Sequence, residues 1–216
     1  METIHYLINL VLHLDQHLIT LTNTYGLWTY AILFLIIFCE TGLVITPILP
    51  GDSLLFAAGT LAAGTDQMIN IHLLFLLLVC ASILGNATNY TIGRLLGPRV
   101  FQFKQSRFFN PHYLKTAQTF YERHGGKTII IARFIPIIRT FAPFISGIAA
   151  MQVYRFFIYN IIGALLWVGS LLYISYLFGN LPFIKEHFST VILAVIVVSL
   201  MPPALGYLKQ KCSAIF

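Results

Sequence analysis

Two long apolar stretches of this chain are broken by prolines and bracketed by charges. Glu40 and Asp52 flank Thr41–Gly51, which contains Pro47 and Pro50. Arg133 and Arg139 flank Phe134–Ile138, which contains Pro136, and Pro143 follows. A charge at bilayer depth costs about 2.5–3.5 kcal/mol on insertion scales, so it is rarely placed there without a task. Proline-broken backbone at that depth is tolerated where it is buried in protein or lines a cavity. The two stretches therefore predict re-entrant hairpins around a polar site, and they point to membrane transport.

The surrounding sequence fits a membrane setting. Of 216 residues, 58% are hydrophobic and 9% are charged, whereas soluble domains carry about 25% charged residues. The length suits one membrane domain, 1–216, with no separate soluble domain. The start of the chain, with Glu2 and no Lys or Arg before Arg94, is not expected to be a cleavable signal. Cys39, Cys80 and Cys212 have neither disulfide nor metal spacing and read as packing residues. No metal or cofactor is expected, since the sequence has no P-loop, dinucleotide fingerprint or Cys/His cluster.

The net charge of +6 is concentrated. Seven Lys or Arg and one acid lie between Arg94 and Lys127, which marks a cytoplasmic face rather than a nucleic-acid surface. The expected architecture is an all-α polytopic membrane protein. An amphipathic interfacial helix covers 3–22, and a first re-entrant hairpin covers 27–64. A transmembrane helix at 71–93 leads to a basic loop at 94–127, which holds a second amphipathic helix. A second re-entrant hairpin at 128–151 and transmembrane helices at 155–178 and 190–208 complete the chain. Both termini are placed in the cytoplasm. Threading the charge asymmetry through this order makes the hairpins open from opposite leaflets, a recurrent transporter plan. An offset of 99 aligns Glu40-Thr41 with Arg139-Thr140, which gives the two halves inverted-repeat character. Trp28, Tyr30, Tyr154, Trp167, Tyr173 and Tyr207 read as interfacial anchors.

Two fixed cations at low dielectric suit an anion, and guanidinium forks grip phosphate bidentately. Arg133, Arg139 and the adjacent Thr140 are thus candidate substrate-binding residues. The competing structural reading is that the arginines only neutralise Glu40 and Asp52. Those acids can bind and release protons, which suits them to proton coupling or to gating the arginines. Asp52, after Pro50-Gly51, can equally cap a helix over 53–63. Asn86 and Asn89 lie on nearly one helical face, where cavity lining and helix–helix hydrogen bonding are both open. Pro47, Pro50, Gly51, Pro136, Pro143 and Gly147 are expected to shape the hairpins.

These segments together carry a resemblance. Glu40-Thr-Gly through Pro47-Ile-Leu-Pro-Gly-Asp52 match the DedA family, membrane proteins that share the VTT (SNARE-associated) domain. So do Gly85-Asn-Ala-Thr-Asn-Tyr-Thr-Ile-Gly-Arg94 and the string from Arg133-Phe-Ile-Pro to Arg139-Thr, Pro143, Gly147 and Met151. The resemblance spans about residues 26–180. It implies two opposed re-entrant hairpins, residence in the bacterial inner membrane and transport of undecaprenyl phosphate or a phospholipid between leaflets. It also implies proton dependence, a role in envelope homeostasis, and essential acids and arginines at Glu40, Asp52, Arg133 and Arg139. One departure is Asn86, where many members carry Asp. The expected function is a proton-coupled lipid flippase rather than an enzyme. A proton-coupled exporter of small cations or osmolytes and a non-transporting assembly factor are the alternatives. The oligomeric state stays open.

Overall fold

The computed structural model describes residues 14–43, 51–64, 69–100, 126–179 and, in part, 181–195. Among them every regular element is helical and no strand occurs. The helices, in chain order, are α1 Leu14–Tyr25, α2 Trp28–Gly42, α3 Gly51–Ala62, α4 Ile71–Val100, α5 Lys127–Ala132, α6 Pro136–Ile148 and α7 Val153–Phe178. Pro47, Pro50, the tip of the first broken stretch, the basic loop over 101–125 and most of the expected 190–208 span lie outside the described residues.

Length and composition separate these helices into two kinds. Ile71–Gly97 and Val153–Phe178 are apolar over 27 and 26 residues. At about 1.5 Å per residue each reaches about 40 Å, enough to cross a hydrocarbon core of about 30 Å. The 15-residue α2 and 13-residue α6 are apolar but short, about 22 and 20 Å long, so neither crosses alone.

The capping chemistry explains several boundaries. Asn70 precedes α4, and its Oδ1 accepts from the backbone N–H groups of His72 (3.0 Å) and Leu73 (3.2 Å), satisfying donors the helix cannot. At the other end α4 runs to Val100, seven residues past the expected 93, because Gly93 and Gly97 keep it packed on the backbone of α6. Asp52 lies inside the first turn of α3, which begins at Gly51. It is therefore not the residue ahead of the helix that a capping role required. Its charge still favours the positive end of the helix dipole.

The second broken stretch is a helix, a break and a helix. After α5 the chain tightens into a turn, with the N–H groups of Arg133, Phe134 and Ile135 donating to Ile130, Ile131 and Ala132 carbonyls at 3.1–3.2 Å. Ile135 is extended (φ −120°, ψ 106°), as a residue before proline prefers. Pro136 then opens α6 at a position where its missing N–H is not needed. Pro143 sits inside α6 and cannot donate to the Arg139 carbonyl. At the end of α6 the Met151 N–H reaches back to the Ser146 carbonyl at 3.0 Å, and Ala150 is left-handed at φ 52°. That position favours glycine. Ala150→Gly is expected to raise stability by about 1 kcal/mol, read from denaturant unfolding in detergent; a loss would contradict this geometry.

The described residues form two compact units, drawn from 1–36, 48–78 and 168–216 and from 37–47 and 79–167. In the first, α1 packs on α3, and Leu33, Leu55, Leu74, Leu78 and Leu172 are fully buried. Tyr30 is buried, and its hydroxyl accepts from the Asn70 N–H at 2.7 Å. It ties two helices together and is not the interfacial anchor its sequence position suggested. Trp28 and Tyr154, at helix starts, are 72% and 77% exposed. In the second unit Tyr90 stacks on Phe156 (ring centroids 4.2 Å apart) beside Ile129. The Tyr90 hydroxyl donates to the Met151 carbonyl at 2.5 Å.

Candidate functional site

The second unit buries three charged side chains among its described residues: Glu40, Arg133 and Arg139, at 1%, 1% and 4% exposure. Each is placed by a helix end. Glu40 lies in the last turn of α2, Arg139 in the first turn of α6, and Arg133 in the break between α5 and α6. Helix ends carry backbone groups without intrahelical partners, so polar side chains gather there more cheaply than in mid-helix.

The two arginines have different surroundings. Arg139 Nη2 donates to Glu40 Oε1 in a buried salt bridge. Its guanidinium carbon stands 4.5 Å from the centroid of the Trp167 ring, a cation–π contact strengthened by desolvation. Trp167 is thus a buried partner of Arg139, at 1% exposure, and the expectation of an interfacial anchor fails there.

Arg133 is held by neutral groups. Nη1 donates to Ser82 Oγ and Nη2 to Asn160 Oδ1, both at 2.5 Å. Asn160 is itself fixed, its Nδ2 donating to the Ile83 carbonyl at 3.1 Å. Asn86 Nδ2 donates to the same Asn160 Oδ1 at 3.2 Å. Ser82, Asn86 and Asn89 recur at helical spacing on α4, and Asn160 and Trp167 do so on α7, so each set lines one face. Sequence reasoning did not select Ser82 or Asn160. The available signal was that Asn160 is the one amide side chain in the long, largely apolar helix Val153–Phe178.

Asn89 joins the two broken stretches. Its Nδ2 donates to the carbonyls of Thr140 (2.7 Å) and Thr41 (3.4 Å). Thr140 is buried and contributes its backbone oxygen to this link. Residues 99 apart in sequence, Glu40 and Arg139, meet in the ion pair. The members of the next pair at that offset, Thr41 and Thr140, are both bound by Asn89. Among the buried side chains, Asn86 Oδ1, Asn89 Oδ1 and Arg133 Nε have no hydrogen-bond partner.

The sites expected to shape the hairpins act in several ways. Gly51 begins α3, Pro136 begins α6, and Pro143 is buried within α6. Gly147 works by close approach: a Cβ there would meet the Tyr90 carbonyl oxygen. Asp52 belongs to the other compact unit and is partly buried.

The chain has relatives among known proteins. Residues 49–177 match the VTT domain family. Protein DedA of Escherichia coli K12 is 50% identical over 214 residues, covering 99% of this chain and 98% of that protein. An uncharacterized membrane protein of Mycobacterium leprae is 41% identical over 183 residues, 83% of this chain and 81% of its own. The inner membrane protein YqjA of E. coli K12 is 35% identical over 162 residues, 73% and 71% of the two chains. No solved structure matches. With one match spanning more than half of the chain and half-identity across nearly all of it, this chain belongs to the DedA family of VTT-domain membrane proteins.

Proposed function

We propose that this protein moves a phosphate-bearing lipid, undecaprenyl phosphate or a phospholipid, between the leaflets of a bacterial inner membrane, coupled to protons. The observation that carries this reading is the buried cluster of two arginines against one acid in a protein whose helices are built for hydrocarbon. Membrane interiors keep such groups where an ion or substrate passes. Arg133 and Arg139 would grip the phosphate while the lipid tail stays in hydrocarbon. Glu40 occupies Arg139 at rest and would release it on taking up a proton; Asp52 would serve the same coupling. No covalent step is part of this scheme.

The short apolar helices α2, α3 and α6, none long enough to cross, support re-entrant hairpins, and the charge asymmetry of the sequence supports their entry from opposite leaflets. The meeting of Glu40 with Arg139, and of Thr41 and Thr140 at Asn89, is what an inverted repeat would produce near its axis. A cation exporter fits less well, because two buried arginines repel the cargo.

Labelled undecaprenyl phosphate and a labelled phospholipid, followed between leaflets of proteoliposomes, test the proposal. Expected is translocation above that of empty liposomes, lost by at least about tenfold in Arg139→Ala, as removal of a charge-assisted phosphate contact implies. No movement of either lipid by folded protein would overturn it.

A further inference from the structure

We propose that the anionic group of the cargo is received first on Arg133, and that Asn160 is the positioning residue that holds Arg133 ready; this rests on the lipid-phosphate reading above. Arg139 already has a carboxylate against it, whereas Arg133 meets only Ser82 and Asn160, with no acid among the described residues. Among the described buried residues of this unit, one acid against two arginines leaves one positive charge. A buried charge without a counter-charge is costly, and a bound anion relieves it.

The unsatisfied atoms specify the ligand. Arg133 Nε is a buried donor without an acceptor, and Asn86 Oδ1, in the same hydrogen-bonded cluster, is a buried acceptor without a donor. A singly protonated phosphate monoester supplies both complements, oxygens for Nε–H and one O–H for Asn86. Gly163 lets α7 pack directly on the Arg133 side chain, since a Cβ there would lie 2.7 Å from Arg133 Cδ and 3.0 Å from Nε. Asn160 sets the charge state of the cluster. Its neutral oxygen binds Nη2 without cancelling the cation, so the charge remains available to the cargo. A carboxylate at the same place would cancel the charge of Arg133 and compete with the cargo for it.

The test uses Trp167 as reporter. The chain has two tryptophans, and Trp28→Phe leaves only the one lying over Arg139. Its emission is titrated in phosphatidylcholine nanodiscs with a polyprenyl monophosphate, and separately with inorganic phosphate. Asn160→Asp is expected to weaken lipid binding by about tenfold or more, while Asn160→Ser, a neutral acceptor, stays within about threefold of the parent. Size-exclusion profile and melting temperature report folding. Ser82→Asp, which brings a carboxylate to the other side-chain partner of Arg133, is expected to weaken binding too and decides the matter if Asn160→Asp does not fold. Parent-like binding in the folded aspartate variants would overturn the role of Arg133 while leaving the lipid reading intact. Equal response to inorganic phosphate, still lost in the aspartate variants, would support the Arg133 seat and overturn the lipid source. No response of the parent to either probe would overturn both.

Discussion

Glu40→Ala is expected to destabilise the folded protein by about 3–5 kcal/mol, the usual cost of removing one partner from a buried ion pair. The cause is what remains: Arg139, 4% exposed, loses the carboxylate that balances it. Much of the cost is therefore a penalty on the survivor and not the net worth of the pair. Replacing both partners with apolar residues removes the stranded charge, and such replacements are often neutral. Glu40→Ala combined with Arg139→Leu should accordingly recover most of the stability lost in Glu40→Ala alone, while transport stays abolished. Unfolding in detergent followed by circular dichroism measures the first effect and leaflet translocation the second. Additive losses in the double variant would show that the pair is not coupled as its geometry requires.

A second large effect is expected at Gly147. A Cβ there would fall on the Tyr90 carbonyl oxygen, 2.8 Å from the Arg94 nitrogen and 3.0 Å from the Tyr90 carbonyl carbon. All three atoms are backbone, so no side-chain rotation makes room, and α6 must move off α4. Gly147→Val should cost about 3 kcal/mol, the upper end of ordinary overpacking. It should also disturb the hydrogen bond from Tyr90 to Met151 just beyond the helix. Gly169→Ala is the contrast, because its Cβ would meet only Phe75 Cε2 at 3.4 Å. That variant should be neutral or slightly stabilising, since alanine is the better helix former. Melting temperatures of the two proteins decide the matter, and equal values would refute the close approach at Gly147.

What could be read in advance follows from how each residue announces itself. Glu40, Arg133 and Arg139 are conspicuous because charges inside apolar runs have few innocent explanations. The break at Pro136 was equally legible, since proline fixes backbone and removes a donor locally. Asn160 was not, because an amide in a long apolar helix reveals nothing of a partner 27 residues away in sequence. Trp167 and Tyr30 misled for a related reason. Aromatic residues with a polar tip suit both a membrane interface and a buried hydrogen bond or cation contact, and only the packing separates the two. The division of labour between the arginines is likewise a tertiary fact: both lie beside the same break, and only one meets a carboxylate. The expected sidedness has an internal conflict. A first hairpin opening outward and a cytoplasmic N-terminus are compatible only if the segment before residue 27 also crosses the bilayer.

In the proposed transport cycle a lipid phosphate takes Arg139 from Glu40. A carboxylate displaced from its arginine in a low-dielectric interior is neutralised by a proton, so binding and proton uptake should be linked. The direct measurement is proton uptake from weakly buffered solution when nanodisc-embedded protein is mixed with a polyprenyl monophosphate, followed with a pH-sensitive dye. About one proton more per bound lipid is expected in the parent than in Glu40→Gln, which keeps only the fractional uptake that binding a singly protonated phosphate requires. Binding without proton uptake in the parent, or uptake as large in Glu40→Gln as in the parent, would contradict the account.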